Sequence, residues 1–478
     1  MNLFHQRDVS VKRTLFDKIW DDHAVARDDD GSFLLYIDRV FLHERTGGIA
    51  LDSLEADGRK IKNPKHVFCT MDHIVDTFPG RGDDTTMPGG SDFIRVTREL
   101  ALKGGITLFD LGDPRQGISH VISLEQGISL PGCILVCPDS HTCTLGGIGA
   151  LATGVGSSEC EHVLATETLR VFKPRQMRVI FAGELAAGVT AKDMILHLIA
   201  RYSASGGSGY AVEFAGPAIT DLDVEARLTL CNMAVEFSAF TGIIAPDEKV
   251  LTYLENRPYA PKGEAREAAL QYWSALSSDV DVSFDKELIV DCADIGPTVT
   301  WGTSPQYAIP VDGTVPSLED AGDPGLQGSM QQALKYMDIQ PGARLEGLPI
   351  QAAFIGSCTN GRLSDLRAAA GILVGRKVAS GVQAICVPGS TQVKQAAEAE
   401  GLDKIFRDAG FEWRESGCSM CFYAGGEGFP PGARIITSTN RNFEGRQGPS
   451  TRSHLASPAT VAASAVAGCI ADLRKLDT

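Results

Sequence analysis

The sequence lacks the two features that would place the protein in or across a membrane. Although 43% of its 478 residues are apolar, none of its apolar runs approaches the ~20 residues that a bilayer-spanning helix needs. Residues 1–13 are polar and contain no apolar core of the kind found in a signal peptide. These absences exclude the membrane-spanning classes and predict a cytoplasmic protein.

Positive charge is scarce relative to negative charge. Lys and Arg number 44 and Asp and Glu number 60, so the formal net charge is −16 at pH 7. This excess of negative charge opposes any broad attraction to the phosphates of nucleic acids or to anionic lipids. We therefore expect neither nucleic acid nor a membrane surface among the partners.

The closely spaced cysteine pattern of a small disulfide-rich protein is also missing. The 12 cysteines are scattered over a long chain, so we interpret their thiols as core residues or metal ligands. A free cysteine within an apolar run packs as a small hydrophobic residue. The cysteines predicted to do so are Cys69, Cys133, Cys137, Cys231, Cys292, Cys386 and Cys469.

Short apolar runs alternate with amphipathic helical patterns along the chain. This alternation is typical of strands in mainly parallel sheets covered by helices, and it predicts an α/β fold. In the first predicted helix, one face carries Val11, Leu15, Phe16, Ile19 and Trp20. The strand-like runs are 33–37, 66–70, 134–137, 177–181, 350–355, 382–387 and 434–437.

Two stretches divide the chain into three predicted domains. A Lys-Pro-Arg sequence at 173–175 precedes a new strand, and the acidic, Ser-rich stretch 277–285 is typical of a surface connection. We therefore predict domains over residues 1–174, 175–286 and 287–478, with an active-site cleft at the carboxyl ends of the strands.

Four of the strand-like runs end in residues that can carry chemistry. These ends are Asp72-His73, Asp139-Ser140-His141, Cys358, and Asn440-Arg441. An isolated Asp-His pair is most often a surface turn, but ligands of open α/β sheets bind beyond the carboxyl ends of strands. The four ends together predict one shared cleft.

Cys418 and Cys421 have the C-x-x-C spacing, with which two thiolates can bind one metal centre or form a redox disulfide. Cys358, in Gly-Ser-Cys-Thr-Asn, is the further loop cysteine that could join them. Three thiolates on a four-iron cluster leave one iron without a protein ligand, and that iron could bind substrate as a Lewis acid. A zinc or redox protein that uses the C-x-x-C pair alone stays an alternative.

A dehydration also needs a proton donor, a base, and cations for substrate carboxylates. The Asp72-His73 pair supplies an imidazole held beside a carboxylate, which could donate a proton. Arg441 and Arg446 could bind carboxylates through two hydrogen bonds each. Further carboxylate and imidazole groups belong to His120, Asp139, His141 and Glu236.

Eight motifs together resemble the aconitase superfamily, and most closely its family of 3-isopropylmalate dehydratase large subunits. They follow one another in the order of that family, which a chance match does not explain. The motifs are MDHIVD at 71–76, QGISH at 116–120, PDSHT at 138–142, TLCNMAVE at 229–236, TWGTSP at 300–305, IGSCTNGR at 355–362, GCSMC at 417–421 and TSTNRNFEGRQG at 437–448.

The resemblance implies a three-domain aconitase-like fold and a [4Fe–4S] cluster, one per subunit. Cys358, Cys418 and Cys421 would be its three protein ligands. Asn232 and Asn440 would lie on the substrate side and support the cluster and its bound solvent.

The resemblance also implies the catalytic roles. Asp72-His73 would protonate the departing hydroxyl group, and Arg441 and Arg446 would bind the substrate carboxylates. His120 and His141 would be paired with acidic residues of the site. The complete catalytic set implied in this way is Asp72, His73, His120, Asp139, His141 and Glu236.

Single-chain aconitases close the cleft with a fourth, swivelling domain that carries the base. Here the last motif ends at Gly448, and the tail 449–478 is Ala-rich and too short for another domain. The resemblance therefore implies the large subunit of a hydro-lyase whose separate small subunit carries the swivelling domain. The implied reaction interconverts 2-isopropylmalate and 3-isopropylmalate by dehydration and rehydration in leucine biosynthesis, a branched-chain amino-acid pathway.

Two segments depart from the family pattern, and both adjoin candidate site residues. Residues 78–90 follow the Asp-His motif, in which Ile74 stands where leucine-pathway subunits often have Asn, and 422–432 follow Cys421. These departures leave citramalate, dimethylmalate and homocitrate as alternative substrates. A noncatalytic, iron-responsive RNA-binding protein is a different alternative, which the net charge of −16 disfavours.

Overall fold

The computed structural model describes residues 12–321 and 323–476. Its strands, in chain order, are β1 (Ala24–Arg27), β2 (Phe33–Tyr36), β3 (Arg39–His43), β4 (Val67–Thr70), β5 (Thr107–Phe109), β6 (Ile134–Cys137), β7 (Leu151–Gly154), β8 (Thr168–Val171), β9 (Arg175–Ala182), β10 (Tyr210–Ala215), β11 (Thr241–Ile243), β12 (Lys286–Asp291), β13 (Thr298–Thr300), β14 (Ala308–Pro310), β15 (Ala352–Ile355), β16 (Gln383–Cys386), β17 (Phe411–Trp413), β18 (Arg434–Thr437) and β19 (Arg452–Leu455).

Helices occupy most of the connections between these strands. They are α1 (Leu15–His23), α2 (Gly47–Ala56), α3 (Gly90–Gly104), α4 (Ser119–Glu125), α5 (Ser157–Thr166), α6 (Ala191–Tyr202), α7 (Pro217–Asp221), α8 (Val224–Asn232), α9 (Glu248–Tyr253), α10 (Glu264–Ser274), α11 (Pro324–Met337), α12 (Leu363–Leu373), α13 (Thr391–Ala399), α14 (Leu402–Ala409) and α15 (Pro458–Ala467).

The first large sheet has five parallel strands in the order β5-β4-β3-β6-β7. β3 lies at its centre, so the carboxyl ends of β3, β4 and β6 are adjacent. Every residue of β4 and β6 is buried, as expected for parallel strands covered by helices on both faces. This sheet therefore presents three neighbouring strand ends to one side.

Two further sheets are also parallel throughout. One has the order β11-β10-β9-β12 and the other has the order β17-β16-β15-β18-β19. In the latter, β15 is central and β18 is its neighbour, so their carboxyl ends are adjacent. The remaining strands of residues 12–321 and 323–476 form two small antiparallel sheets, β1-β2-β8 and β13-β14. The predicted α/β class with mainly parallel sheets is confirmed.

All the strand-like runs identified in the sequence form strands. They correspond to β2, β4, β6, β9, β15, β16 and β18. β9 is longer than predicted and covers Arg175–Ala182, and β2 belongs to an antiparallel sheet. In α1 the predicted apolar face is buried at Leu15, Phe16, Ile19 and Trp20, whereas Val11 lies outside the described residues.

The predicted domain boundaries lie close to the limits of the sheets. β8 ends at Val171 and β9 begins at Arg175, on either side of the first boundary. The second boundary, after residue 286, falls inside β12 (Lys286–Asp291), which pairs with β9. This strand therefore completes the four-stranded sheet, and the division into three domains stays a prediction.

The cysteines are all free thiols in the structure. Of the seven predicted to pack in the core, Cys133 and Cys469 are half-buried and the other five are buried. Separately, no helix in residues 12–321 and 323–476 is both long and apolar enough to cross a bilayer.

We expect the core beneath α12 to be sensitive to cavity formation. Leu366 of α12 is 0% exposed, so Leu366→Ala should lower the free energy of unfolding by about 2–5 kcal/mol. Leu102 of α3 is 66% exposed, and Leu102→Ala should change the free energy of unfolding by less than about 0.5 kcal/mol. Urea unfolding followed by circular dichroism measures both, and equal midpoints for the two variants would contradict the assigned packing.

Candidate active site

The carboxyl ends of the two five-stranded sheets meet at a cleft of about 240 Å³. All four chemistry-bearing strand ends identified in the sequence contribute to it, as predicted. The residues predicted for the site that line this cleft in the structure are His73, His120, Asp139, His141, Cys358, Cys418, Cys421, Arg441 and Arg446. The structure thus brings residues from distant parts of the chain into one site.

The Asp72-His73 pair lies directly after β4. The carboxylate of Asp72 is fully buried and contacts Nδ1 of His73 at 2.6 Å, while Nε2 of His73 contacts Asp139 at 3.1 Å. Burial would lower the pKa of His73, but the Asp72 charge and both hydrogen bonds raise it well above its ordinary value. The ring is therefore held in its charged form.

A buried carboxylate fixes the backbone of this pair. Glu44, three positions before the start of α2, accepts backbone N–H bonds from Asp72, His73 and Ile74 at 3.0, 2.7 and 2.5 Å. Burial and the Asp72 charge raise the pKa of Glu44 to about 7. With the N–H of Val75 at 3.4 Å, four converging N–H groups offset part of the cost of burying this carboxylate.

Asp139, after β6, connects three imidazole rings. Its carboxylate contacts Nε2 of His73 and Nε2 of His120, the latter at 2.9 Å, and accepts the backbone N–H of His141 at 2.7 Å. Burial opposes ionisation, but the hydrogen bonds from the histidines hold the pKa of Asp139 well below its ordinary value. The rings are thereby oriented around one negative charge.

Glu236 links His141 to an arginine of the other sheet. Its Oε1 contacts Nε2 of His141 at 2.9 Å and accepts a hydrogen bond from Nε of Arg441 at 2.7 Å. Burial disfavours its charge, but the neighbouring His141 and Arg441 lower the pKa of Glu236. Because only Nε of Arg441 is occupied in this contact, its terminal nitrogens are available to a ligand.

A buried lysine holds the segment that carries Arg441. Lys192 of α6 is 0% exposed, and its Nζ donates to the backbone carbonyls of Ser438 and Thr439 at 2.9 and 2.6 Å. Burial lowers the pKa of Lys192 to about 8. This contact ties the loop after β18 to the neighbouring four-stranded sheet.

Four of the predicted site residues do not line the cleft but lie directly behind it. Asp72 and Glu236 orient the histidines. Asn232 and Asn440 are fully buried, and their amide groups point at Sγ of Cys358, at 3.2 and 3.4 Å. Their position supports a thiolate rather than a direct substrate contact, and the substrate role predicted for them is untested.

The sequence matches a known family over most of its length. A family model described as the aconitase family (aconitate hydratase) matches residues 17–468. The chain belongs to the aconitase family. Membership of this family implies an iron–sulfur cluster, and aconitate hydratase, which the family description names, is a hydro-lyase.

Two relatives match the chain over nearly its whole length. The proteins named 3-isopropylmalate dehydratase large subunit 1 of Bradyrhizobium diazoefficiens and of Mannheimia succiniciproducens are 53% and 49% identical to it, over 97% and 98% of each chain respectively. Among solved structures, holo aconitase X of Thermococcus kodakaraensis has a TM-score of 0.45 and 13% identity, covering 89% of this chain and 87% of its own.

The thiols of this aconitase-family chain fit an iron–sulfur cluster. Cys358, Cys418 and Cys421 are buried, yet all three line the cleft. Burial raises the pKa of Cys358 to about 12, so a bound metal centre is what would favour its thiolate. Nitrogen donors already face the sulfurs, since Nη2 of Arg446 lies 3.7 Å from Sγ of Cys421.

The two segments that depart from the family pattern pack against each other. Glu427, from 422–432, accepts hydrogen bonds from Thr77 and Ser419 and pairs with Arg414 at 3.2 Å. Arg414 also lies 4.5 Å from the ring centroid of Phe78, at the start of 78–90. The departures therefore form one wall next to His73.

The end of β3 also belongs to the site, although it was not among the predicted site residues. His43, Arg45 and Thr46 line the cleft, and Glu44 anchors the Asp72-His73 loop. The signal was present, because the apolar run Val-Phe-Leu at 40–42 is followed by His-Glu-Arg, which resembles the other four strand ends. Phe422 is a further lining residue that no motif indicated.

We expect Glu44→Gln to loosen the loop after β4. Charge-assisted hydrogen bonds are about twice as strong as neutral ones, so exchange of the amides of Asp72, His73 and Ile74 should accelerate by about tenfold or more, which corresponds to ~1.4 kcal/mol. Hydrogen–deuterium exchange of this peptide measures the change. Glu99→Gln, on the exposed face of α3, is the matched control, and unchanged exchange in Glu44→Gln would refute the anchoring role.

Proposed function

We propose that this chain is the large, cluster-bearing subunit of a 3-isopropylmalate dehydratase. It would interconvert 2-isopropylmalate and 3-isopropylmalate by removal and re-addition of water, a step of leucine biosynthesis. The observation that carries the proposal is the convergence of three buried thiols, an Asp-paired histidine and two arginines on one cleft. The names of the two full-length relatives support the same reaction.

The proposed cofactor is one [4Fe–4S] cluster held by Cys358, Cys418 and Cys421. When bound through three protein ligands, such a cluster supplies a Lewis acid for the substrate hydroxyl group. Asn232 and Asn440 would stabilise the thiolate of Cys358 by donating to its sulfur. Arg446 would do the same for Cys421.

We assign His73 as the proton donor to the departing hydroxyl group. Asp72 accepts the Nδ1 proton, which leaves the proton on Nε2, now directed at Asp139, on the side that lines the cleft. The raised pKa of His73 keeps that proton in place until a more basic oxygen arrives. His120 and His141 contact the other carboxylate oxygen of Asp139 and fix the orientation of this carboxylate.

Arg441 and Arg446 are proposed to bind the substrate carboxylates. Both line the cleft, and Glu236 fixes Arg441 through Nε. A planar guanidinium held in this way can present its two terminal nitrogens to a carboxylate with little loss of side-chain freedom. The acidic protein would thus bind a dianion in a locally cationic pocket.

A separate small subunit is the proposed partner. The relatives are named large subunits, and this chain covers 97% and 98% of their length. We propose that the partner carries the swivelling domain, supplies the base for the carbon-bound proton, and closes the cleft against water.

The cluster assignment predicts the effect of removing single ligands. Cys358→Ser, Cys418→Ser and Cys421→Ser should each lose the cluster, because each thiolate is one of three anchors. Iron and sulfide analysis of anaerobically purified protein measures the loss. Cys469→Ser, at a half-buried cysteine away from the cleft, is the control and should keep its iron; four irons retained in all three ligand variants would disprove the assignment.

The two-subunit assignment predicts that activity requires both chains. The large subunit with an intact cluster should turn over 3-isopropylmalate only after the small subunit is added. An anaerobic assay with isopropylmalate, citramalate, dimethylmalate and homocitrate checks both the requirement and the substrate. Comparable turnover by the isolated chain would overturn the partner's role, and no turnover of any of these compounds by the complex would overturn the function.

A further inference from the structure

The turn after β3 carries a cation that the proposed reaction has not used. Arg45 lies between β3 and α2 and lines the same cleft as His73 and Arg446. Its side chain is exposed. Throughout 12–321 and 323–476, no hydrogen bond or ion pair engages its guanidinium. A guanidinium in such a position has all of its donors free for an anion.

The backbone on both sides of Arg45 is fixed. Glu44, before it, accepts four N–H bonds from the loop after β4. Thr46, after it, donates its hydroxyl to the carbonyl of Pro138 at 2.8 Å, at the end of β6. Arg45 is therefore held between the two strand ends that carry the histidine cluster, and only its side chain is free to meet a ligand.

Phe422 supports this side chain from the wall of the cleft. The guanidinium of Arg45 lies 4.3 Å from the centroid of the Phe422 ring, and that of Arg446 lies 5.8 Å from the same centroid. Cation–π contact positions a guanidinium without occupying its N–H groups. Partial burial and the charge of Arg446 lower the pKa of Arg45, and an anion bound between the two arginines would relieve their repulsion.

We propose that Arg45 binds a carboxylate of the substrate. This inference rests on the proposed function, in which the substrate is an alkylmalate with two carboxylates. Arg441 is already paired with Glu236, and Arg446 faces the sulfur of Cys421. Arg441 keeps its two terminal nitrogens for a ligand but shares its charge with Glu236. Arg45 makes no ion pair within the described residues, so it adds a cation that strengthens the binding of a dianion. Its neighbour Phe422 offers an apolar surface beside that carboxylate.

The test compares Arg45→Gln and Arg45→Lys in the cluster-loaded complex with the small subunit. Arg45→Gln should raise KM for 3-isopropylmalate by tenfold or more and change kcat by less than threefold. Arg45→Lys should lie between wild type and Arg45→Gln, because it keeps the charge but loses the planar fork. Arg95→Gln, an exposed arginine on α3, is the control and should match wild type.

A binding measurement separates this inference from the proposed function. Succinate and its monoamide succinamate are titrated against the cluster-loaded large subunit alone. Arg45→Gln should lower the affinity for succinate by tenfold or more and reduce the preference for succinate over succinamate. If the wild-type complex turns over no alkylmalate, the function fails while this comparison still decides the role of Arg45. Unchanged KM and succinate affinity would overturn the inference. Weaker small-subunit binding with an unchanged KM in the saturated complex would also overturn it, since Arg45 would then bind the partner.

Discussion

The site depends on the carboxylate of Asp139, which three imidazole rings share. His73 and His120 contact it through their side chains, and His141 donates its backbone N–H to it. Asp72 pairs with His73, and Glu236 pairs with His141 and Arg441. Asp139 contacts all three histidines and so links these two pairs. Hydrogen bonds from the histidines hold the pKa of Asp139 well below its ordinary value, so its carboxylate orients these rings together with Asp72 and Glu236.

The fold explains why such distant residues meet. In each five-stranded parallel sheet the central strand and its neighbour end side by side, and the two sheets present these ends to the same cleft. Buried charges then fix the loops at those ends. Glu44 holds the loop after β4, and Lys192 holds the loop after β18. Each of these charges is satisfied by backbone groups rather than by an ion pair, so moving either loop would leave a charge buried without partners.

The features of the fold and the site that depend on local sequence pattern could be predicted from the sequence. Continuous apolar runs identified β4, β6, β15 and β18, and the residues following them identified the cleft. β3 was missed although its three apolar residues, bounded by Arg39 and His43, form a run like that of β4 and are followed by polar residues that can carry chemistry. The role of Glu44 depends on backbone N–H groups 28 to 31 positions later. Hydrogen bonds between residues so far apart in sequence produce no local sequence pattern, so they can be identified only from the folded structure.

The two segments that depart from the family pattern both contact one buried arginine, Arg414. Glu427 of the later segment is shielded from solvent and receives its hydrogen bonds from Thr77, Ser419 and Arg414. Arg414 in turn covers the ring of Phe78 in the earlier segment. Replacing residues 422–432 alone would remove Glu427 and leave the buried guanidinium of Arg414 with Glu412 as its remaining ion-pair partner. Replacing Phe78 alone would remove the aromatic contact of the same guanidinium. Arg414 therefore couples the two segments, and both shape the wall of the cleft beside Phe422 and His73.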